Sequence, residues 1–251
     1  MPELPEAEVA ARQLRERVVG ATVRDCWIGR EDIVREGLPS LDQYRQAKIA
    51  GVERKGKSVI LHFLCGKEPR FLVAELGMTG LLLFRSTLTK HPQHTHFILH
   101  LDGCCEPDIR YWNPRRFGRL SLLDQAGLDR YVARRFGHDP LTISHEQFLR
   151  VLRATRSRLK SLLMHQQVIA GIGNIYANEI LFRSRLHPNQ PSNSIPGKSI
   201  TRLHQVMGEV LREAIAMGGS SVRDYFAPDG TEGQYKRRPK PGSPARMPAV
   251  L

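Results

Sequence analysis

The sequence lacks the features of a secreted protein, of a membrane-spanning protein and of a protein stabilised by a structural metal ion. Its four cysteines, Cys26, Cys65, Cys104 and Cys105, form no C-x-x-C pair, so their spacing predicts neither a structural zinc site nor a disulfide. No apolar run approaches the roughly 20 residues of a membrane-spanning helix, and the N-terminus has no signal-peptide core. These absences predict a cytosolic protein with no membrane partner and no bound metal.

Acidic residues are also scarce. The chain has 38 Lys and Arg against 25 Asp and Glu, a formal net charge of +13. Such an excess favours a polyanionic partner, with nucleic acid ahead of acidic lipid, and charge alone leaves open a basic protein associated with RNA or the ribosome. At 251 residues, 41% of them apolar, the chain is long enough for a sizeable core and two domains.

The first eight residues combine a proline with nearby carboxylates. Removal of Met1 would expose the secondary amine of Pro2, and an α-amino group has a pKa of about 8 in model peptides. Glu3 and Glu6 lie within a few residues of it, and a nucleophile beside an acid/base group suits imine chemistry on a carbonyl such as an opened deoxyribose. The same stretch also fits a helix start with Pro5 at the first helical position. Taken alone, it is better explained as a helix start.

Periodicity divides the rest of the chain into a β part and a helical part. Apolar residues at helical spacing from Ala7 to Val18 predict a leading helix. Between residues 21 and 125, short apolar or alternating runs separated by turn residues predict an antiparallel sandwich, most clearly at 58–64, 71–76, 80–84 and 96–101. After residue 139 the pattern is helical, with a capping box at Ser144 and Gln147 and a long helix ended by Gly218 and Gly219.

Three loops of the β part carry side chains that a core does not require. Lys57 follows a turn glycine, Met78 lies between two glycines, and Arg115 and Phe117 belong to the run N-P-R-R-F-G. Each has an ordinary interpretation as a solvated lysine, a core methionine, or a packed phenylalanine beside surface arginines. Together they fit enzymes that extrude a base, which fill the gap in the duplex with apolar wedges beside arginines.

A glycine turn opens a predicted helix in the helical part. Gly171 and Gly173 precede Asn174, and free N–H groups at a helix start bind phosphate, although a lone G-x-G is weak evidence. Residues 134–186 contain nine Lys and Arg against three Asp and Glu, which suits a clamp on a nucleic-acid backbone. Residues 236–251 contain five basic residues, four prolines and no acid, which predicts a disordered tail.

Four motifs, PELPE, LGMTG, NPRRFG and GIGNIYANE, occur in an order and spacing that resemble the formamidopyrimidine-DNA glycosylase/endonuclease VIII family over residues 1–235. PELPE and the methionine loop favour the formamidopyrimidine branch. The resemblance implies an α+β fold with an N-terminal antiparallel β-sandwich behind a leading helix (1–133), a helix–two-turn–helix DNA-binding domain (134–226) and a basic, proline-rich tail (227–251). It also implies a monomer without cofactor.

The resemblance further implies an activity and a place for it. The partner would be double-stranded DNA containing oxidised bases or abasic sites. The protein would remove oxidised purines such as formamidopyrimidines, 8-oxoguanine or its hydantoin products, and cut the strand by β,δ-elimination. The alternative is a damaged-DNA or abasic-site binding protein with weak lyase activity or none. A bacterial protein of this kind would be cytoplasmic and associated with the nucleoid, and a eukaryotic one would be nuclear.

Site residues follow from the same resemblance. Pro2 would be the Schiff-base nucleophile, Glu3 the general acid that opens the sugar ring, Glu6 a supporting carboxylate, and Lys57 a phosphate contact that assists elimination. The remaining matches are DNA contacts: Met78, Arg115 and Phe117 as the void-filling trio, His94, Arg156 and Asn174 on the backbone, and Lys160 near the pocket.

Three departures from the family pattern concern charge and metal. The family usually closes with a four-cysteine zinc finger whose arginine grips the phosphates, whereas this sequence has no cysteine beyond Cys105 and resembles zincless members. An arginine on a metal-free hairpin or the cluster from Lys236 to Lys240 would have to replace that contact. Asn113 stands where the family has Asp, and His165 stands at an acidic position, which puts local packing or charge balance in question.

Overall fold

Helix α1, Leu4–Val18, opens the chain and connects its two parts. A computed structural model describes residues 1–85, 87, 92–220 and 225–237. One face of α1 contributes Ala7 and Leu14 to the core of the β part, and another contributes Leu4 and Val9 to the core of the helical part. The leading helix predicted from Ala7 to Val18 is therefore confirmed and starts three residues earlier, which places the N-terminus at the junction of the two parts.

Nine strands form one continuous sheet in the order β2-β9-β5-β4-β3-β1-β7-β8-β6. Among the described residues, all strand pairings are antiparallel except that of β2 with β9. Leu61 and Leu72 from one half and Phe97 and Ile109 from the other share one apolar core, so the sheet folds over on itself as the predicted sandwich. The strands are β1 Thr22–Ile28, β2 Val34–Glu36, β3 Lys48–Lys55, β4 Ser58–Cys65, β5 Glu68–Glu75, β6 Leu81–Phe84, β7 Thr95–Asp102, β8 Asp108–Trp112 and β9 Leu120–Leu123.

The helical part has its own core, which the long helix dominates. Its helices are α3 His145–Arg153, α4 Leu159–Leu163, α5 Asn174–Ser184 and α6 Gly197–Ala216, whereas α2 Gln125–Arg135 packs Leu128 and Tyr131 against the sheet. The predicted capping box of α3 is present, with Ser144 and Gln147 bonded to each other's backbone N–H. Together with the sheet, these helices confirm the predicted α+β class.

Helix α2 was not predicted. Its buried face consists only of Gly127, Leu128 and Tyr131, which is too narrow to give a helical period against the polar residues around it. Asp124 caps it by accepting the Gly127 N–H at 2.7 Å. The predicted domain boundary at residue 133 falls inside this helix. No helix within the described ranges has the length and apolarity needed to cross a bilayer.

Candidate active site

The carboxylate of Glu3 caps helix α5, whose N-cap residue, Gly173, lies 170 residues further along the chain. It is fully buried and accepts the N–H groups of Gly173 at 2.8 Å, Ile175 at 2.8 Å and Tyr176 at 3.3 Å. These are the first N–H groups of α5, where unpaired donors and the helix dipole favour an anion. The N–H groups predicted to bind phosphate at this turn are therefore already used by the protein's own carboxylate, which corrects that interpretation.

Both glycines of the turn are required by close approach. A Cβ on Gly173 would lie 2.5 Å from Glu3 Oε1 and 2.6 Å from Lys57 Nζ. Gly171 has φ +103°, a left-handed conformation that favours glycine, and a Cβ there would lie 2.8 Å from the Leu4 side chain. The Leu4 N–H donates to the Gly171 carbonyl at 2.9 Å. The glycine turn is therefore the surface against which the N-terminal residues pack.

Lys57 reaches the same point from the sheet. It lies in the tight turn between β3 and β4, where Lys55 pairs with Ser58 and Gly56 adopts φ +57°. Burial lowers the pKa of the Lys57 amine, and the opposing attraction of Glu3 and Glu6 does not cancel this effect. Burial likewise raises the pKa of Glu3, despite the three N–H donors and Lys57. Burial therefore moves the pKa of each group from its ordinary value towards neutrality, which suits groups that exchange a proton.

Glu6 is the second buried carboxylate of the N-terminus. One oxygen accepts the Tyr176 hydroxyl at 2.5 Å and the Ser220 N–H at 2.7 Å, and the other accepts the Glu3 N–H at 2.7 Å. Burial raises the pKa of Glu6 despite these donors. The Tyr225 hydroxyl donates to the Glu6 carbonyl at 3.2 Å. Glu6 therefore joins the N-terminus to α5 and to the chain after α6, and its bonds are those of a supporting residue.

Pro2 is held between these contacts. It is buried, whereas Met1 is 43% exposed. The bonds from Glu3 N–H to Glu6 and from Leu4 N–H to Gly171 fix the chain immediately after it. The structure therefore brings Pro2, Glu3, Glu6 and Lys57, the four predicted catalytic residues, to one point.

Two further residues hold this arrangement, and sequence reasoning missed both. The Gln166 amide accepts the Gly171 N–H at 2.8 Å and donates to the carbonyls of Met164 and Ile172 at 2.7 and 2.8 Å, so it braces the glycine turn. Arg54, only 6% exposed, binds Glu8 of α1 and Asp139 at the start of the helical part. The sequence signals neither role, because Gln166 is one of two adjacent glutamines and Arg54 belongs to a basic run.

The predicted void-filling trio forms a second cluster on two packed loops. Met78 and Phe117 are 37% and 57% exposed, unusual for large apolar side chains on adjacent loops. The Arg115 guanidinium lies 5.1 Å from the centre of the Phe117 ring. A Cβ on Gly77 would lie 2.5 Å from the Gly118 nitrogen, so the two loops touch through their backbones.

Asn113 organises the second of these loops. It is fully buried, and its amide nitrogen donates to the Tyr111 hydroxyl at 3.1 Å and to the Gly118 carbonyl at 3.3 Å. Its amide oxygen accepts the Thr79 hydroxyl at 3.5 Å. An Asp at this position could not donate these two bonds. The departure at Asn113 is therefore matched by its surroundings.

We expect Asn113→Asp to destabilise the protein by about 1–3 kcal/mol, because it removes the amide donor to the Tyr111 hydroxyl and the Gly118 carbonyl and buries a charge. Burial would raise the pKa of the new carboxyl, so the deficit should be smallest in acid and grow as pH rises above about 4. Thermal unfolding as a function of pH measures it. Asn178→Asp, at an exposed position of α5, is the matched control, and equal deficits in the two variants would contradict this account.

Of the other predicted DNA contacts, Asn174 lies beside the catalytic residues, as the first residue of α5 directly after Gly173, and His94 lies on the β part just before β7. Arg156 and Asn174 are exposed, and His94 and Lys160 are half-buried. His94 contacts the ring of Trp112 edge-on, with 6.1 Å between ring centres. His165 is exposed, so the third departure from the family pattern lies at the surface.

Metal ligands do not gather in the described part of the chain. No group of three His, Cys, Asp or Glu side chains there is placed to hold an ion. All four cysteines are free thiols, and burial raises the pKa of Cys26 to about 12. Most of the basic tail, including Arg238 to Lys240 of the predicted phosphate-binding cluster, lies outside the described residues, as do residues 221–224 of the loop after α6.

Fold and site together define a two-part α+β protein in which N-terminal carboxylates are seated on a glycine turn of the helical part. The formamidopyrimidine-DNA glycosylase N-terminal domain matches residues 1–120, and the formamidopyrimidine-DNA glycosylase H2TH domain matches residues 136–225. The chain belongs to the formamidopyrimidine-DNA glycosylase family.

Individual relatives agree with this assignment. A formamidopyrimidine-DNA glycosylase of Thermomicrobium roseum is 36% identical over 99% of this chain and 90% of its own length, and one of Thermus thermophilus is 37% identical over 95% and 85%. The crystal structure of MutM (Fpg) from Thermus thermophilus has a TM-score of 0.81 at 36% identity, covering 94% of this chain and 85% of that one. A Lactococcus lactis Fpg in complex with DNA containing an abasic site also has a TM-score of 0.81, at 27% identity over 94% and 85%.

Proposed function

We propose that this protein is a base-excision-repair DNA glycosylase that removes oxidised purines and then cuts the abasic strand through a Schiff base on Pro2. The observation that carries the proposal is the convergence of Pro2, Glu3 and Lys57 at the start of α5. A buried carboxyl with a raised pKa and a half-buried amine with a lowered pKa flank the one residue whose nitrogen becomes a secondary amine when Met1 is removed.

The first chemical step uses the Pro2 nitrogen as nucleophile. Its lone pair attacks the deoxyribose C1′, and the glycosidic bond breaks with its electrons leaving on the base. The proton that the proline nitrogen carries after the attack passes to the departing base, which returns the lone pair to the nitrogen. The Glu3 carboxyl gives its proton to the ring oxygen as the C1′–O4′ bond opens, which leaves an iminium between C1′ and the proline nitrogen. Burial raises the pKa of the Glu3 carboxyl, and a raised pKa favours the protonated form that this donation requires.

Elimination follows from the iminium. Loss of a C2′ proton places the electrons so that the C3′–O bond breaks and the 3′ phosphate leaves, and loss of a C4′ proton releases the 5′ phosphate in the same way. Hydrolysis of the remaining conjugate returns Pro2. Lys57 lies next to Glu3 and, when protonated, attracts the phosphates whose leaving each step requires.

Binding of damaged duplex is supported by the second cluster and by charge. Met78, Arg115 and Phe117 are exposed on two loops packed together, and such side chains fill the space left by an extruded nucleotide. The net charge of +13 favours the phosphate backbone. The Lactococcus lactis relative in complex with abasic-site DNA has the same fold, so double-stranded DNA with an oxidised base or an abasic site is the proposed partner.

Glu3→Gln tests the role of the acid. We expect it to lower the excision rate on a formamidopyrimidine or 8-oxoguanine duplex by about 10²–10⁴-fold, the usual worth of a general acid. Single-turnover excision and borohydride trapping across pH measure this effect. In the wild type the excision rate should fall as pH rises through the raised pKa of Glu3, because the protonated carboxyl is lost. The Glu3→Gln variant should not show this fall of the rate with pH.

The matched control for this variant is Glu16→Gln, an exposed carboxylate on the same helix. It should excise at the wild-type rate. Part of the Glu3→Gln effect will be structural, because an amide has only one acceptor oxygen for donors that now meet two. Thermal unfolding separates the two effects. A folded Glu3→Gln protein that excises the base at the wild-type rate would contradict the role of Glu3.

A further inference from the structure

A cavity of about 500 Å³ lies beside the loop that carries Arg115 and Phe117, on the β part. Its volume falls within the range of roughly 300–1,000 Å³ that is usual for small-molecule sites. Three segments form it: the end of β1 with the residues that follow, the start of β7, and the loop after β8. Its lining includes Trp27, Arg30, His94, His96, Pro114 and Arg116.

The backbone of the cavity is fixed by bonds between these segments. The Gly29 N–H donates to the His96 carbonyl at 3.0 Å, and the Asn113 N–H donates to the His94 carbonyl at 2.9 Å. The buried His96 ring donates to the Asn113 carbonyl at 3.1 Å. The hydrogen bonds that shape the cavity therefore also hold the start of the loop that carries Arg115 and Phe117.

Trp27 supplies an aromatic wall. Its side chain is 46% exposed, whereas Trp112 is only 8% exposed. The six-membered part of the Trp27 indole lies against the backbone of Gly29, where a Cβ would lie 3.0 Å from two ring atoms. An aromatic face held in place and open to solvent is a stacking platform for a nucleobase.

Positive charge surrounds the same opening. Arg30 binds Asp32 through two nitrogens at 2.8 and 3.2 Å, and Arg116 lies 3.9 Å from the same carboxylate. Arg30 first, and also Arg116 and Arg119, lower the pKa of Asp32. Three guanidinium groups thus face one carboxylate, and all of these side chains are near solvent. The surplus charge suits a phosphate, for which planar guanidinium groups are the usual protein ligands.

We propose that this cavity binds one unpaired nucleotide of a DNA strand, with the base stacked on Trp27 and the phosphate held by Arg30 and Arg116. The choice of DNA as the source of the nucleotide rests on the proposed function, since the cavity adjoins the loop proposed to enter the duplex. A free mononucleotide offers the same base and phosphate. The cavity chemistry itself depends only on the lining residues.

Trp27 fluorescence tests the site directly. The full-length protein is titrated with a single-stranded deoxyhexanucleotide, with the same backbone carrying tetrahydrofuran in place of every base, and with a deoxynucleoside monophosphate. We expect saturable quenching by the hexanucleotide that disappears in Trp27→Phe, and about tenfold weaker binding of the base-free strand, the loss expected when one stacked base is removed. Anisotropy of a labelled hexanucleotide gives the affinities independently.

Three further variants locate the phosphate. Arg30→Ser should weaken hexanucleotide binding several-fold, and Asp32→Asn should strengthen it because the competing carboxylate is gone. Arg24→Ser is the matched control, since Arg24 lies on β1, a few residues before Arg30, is exposed, and pairs with one surface carboxylate, Asp102. It should leave the affinity unchanged.

Several results would overturn the proposal: quenching that survives in Trp27→Phe, a base-free strand that binds as well as the hexanucleotide, or equal effects of Arg30→Ser and Arg24→Ser. A monophosphate that binds as tightly as the hexanucleotide would overturn DNA as the source. Borohydride trapping on an abasic duplex is measured in parallel on the wild type. Its failure would count against the proposed function alone, while absent quenching would count against the cavity alone.

Discussion

Protein that retains Met1 is expected to form no borohydride-trapped adduct with abasic DNA. The Pro2 nitrogen is then an amide whose lone pair is delocalised into the carbonyl, so it cannot attack C1′. The expected loss is on the order of 10³-fold or more, as for removal of a catalytic nucleophile. The measurement compares Met1-free protein with protein carrying one extra residue before Pro2, each verified by mass spectrometry.

Binding should survive the same change. The contacts that seat the N-terminus are made by Glu3, Leu4 and Glu6, and Met1 is already accommodated at the surface. The blocked protein should therefore bind an abasic-site duplex with an affinity close to that of the processed protein, measured at one stated salt concentration. An adduct from fully blocked protein would contradict the assignment of Pro2. It would point instead to Lys57, the other amine at this point, whose pKa is lowered by burial.

The elements of the fold were largely predictable because their signals are local. A run of alanines and leucines at helical spacing defines α1, and alternation between turn residues defines β4, β5, β6 and β7. The capping box of α3 needs only four residues of sequence. Helix α2 escaped because three buried residues give no clear period. Prediction succeeded for those helices and strands whose determining residues all lie within one short segment of the sequence.

The sequence allowed the residues of the candidate site to be proposed, but it did not indicate the hydrogen bonds that hold them together. Residue type identified Pro2, with Glu3 and Glu6 beside it, as capable of imine chemistry, and the resemblance added Lys57 and assigned the individual roles. Nothing local indicates that the N–H groups of the glycine turn meet Glu3, because that pairing spans 170 residues. An isolated glycine turn at a helix start suits any anion. A carboxylate tethered in the same chain is present at high effective concentration, so it occupies the donors before a phosphate can.

Residues that brace the site were invisible for the same reason. Gln166 makes three bonds across the turn, and Arg54 joins α1 to Asp139, yet neither belongs to a pattern. Asn113 was noticed only as a departure, and its meaning required the buried donors and acceptors around it. Positioning residues are defined by their partners, and partners distant in sequence become known only when the chain is folded.

The second large effect is expected from Gly173→Ala. Gly173 has φ −126°, which alanine adopts without strain, so any effect must come from the added methyl group. That group would lie 2.5 Å from Glu3 Oε1 and 2.6 Å from Lys57 Nζ, and the Glu3 side chain is held by three backbone bonds. We expect the acid and the amine to move apart by a sizeable fraction of an ångström and the single-turnover excision rate to fall by about 10²-fold.

The comparison that isolates this steric effect is Gly197→Ala. Gly197 is also near the start of a helix, α6, but a Cβ there meets nothing within 4 Å. It should keep the wild-type excision rate and gain about 0.4–1 kcal/mol of stability from the less flexible unfolded chain. Gly173→Ala should instead lose about 1–3 kcal/mol, the usual cost of overpacking. Equal excision rates in the two variants would show that Glu3 and Lys57 tolerate displacement, and the close approach at Gly173 would then have no part in catalysis.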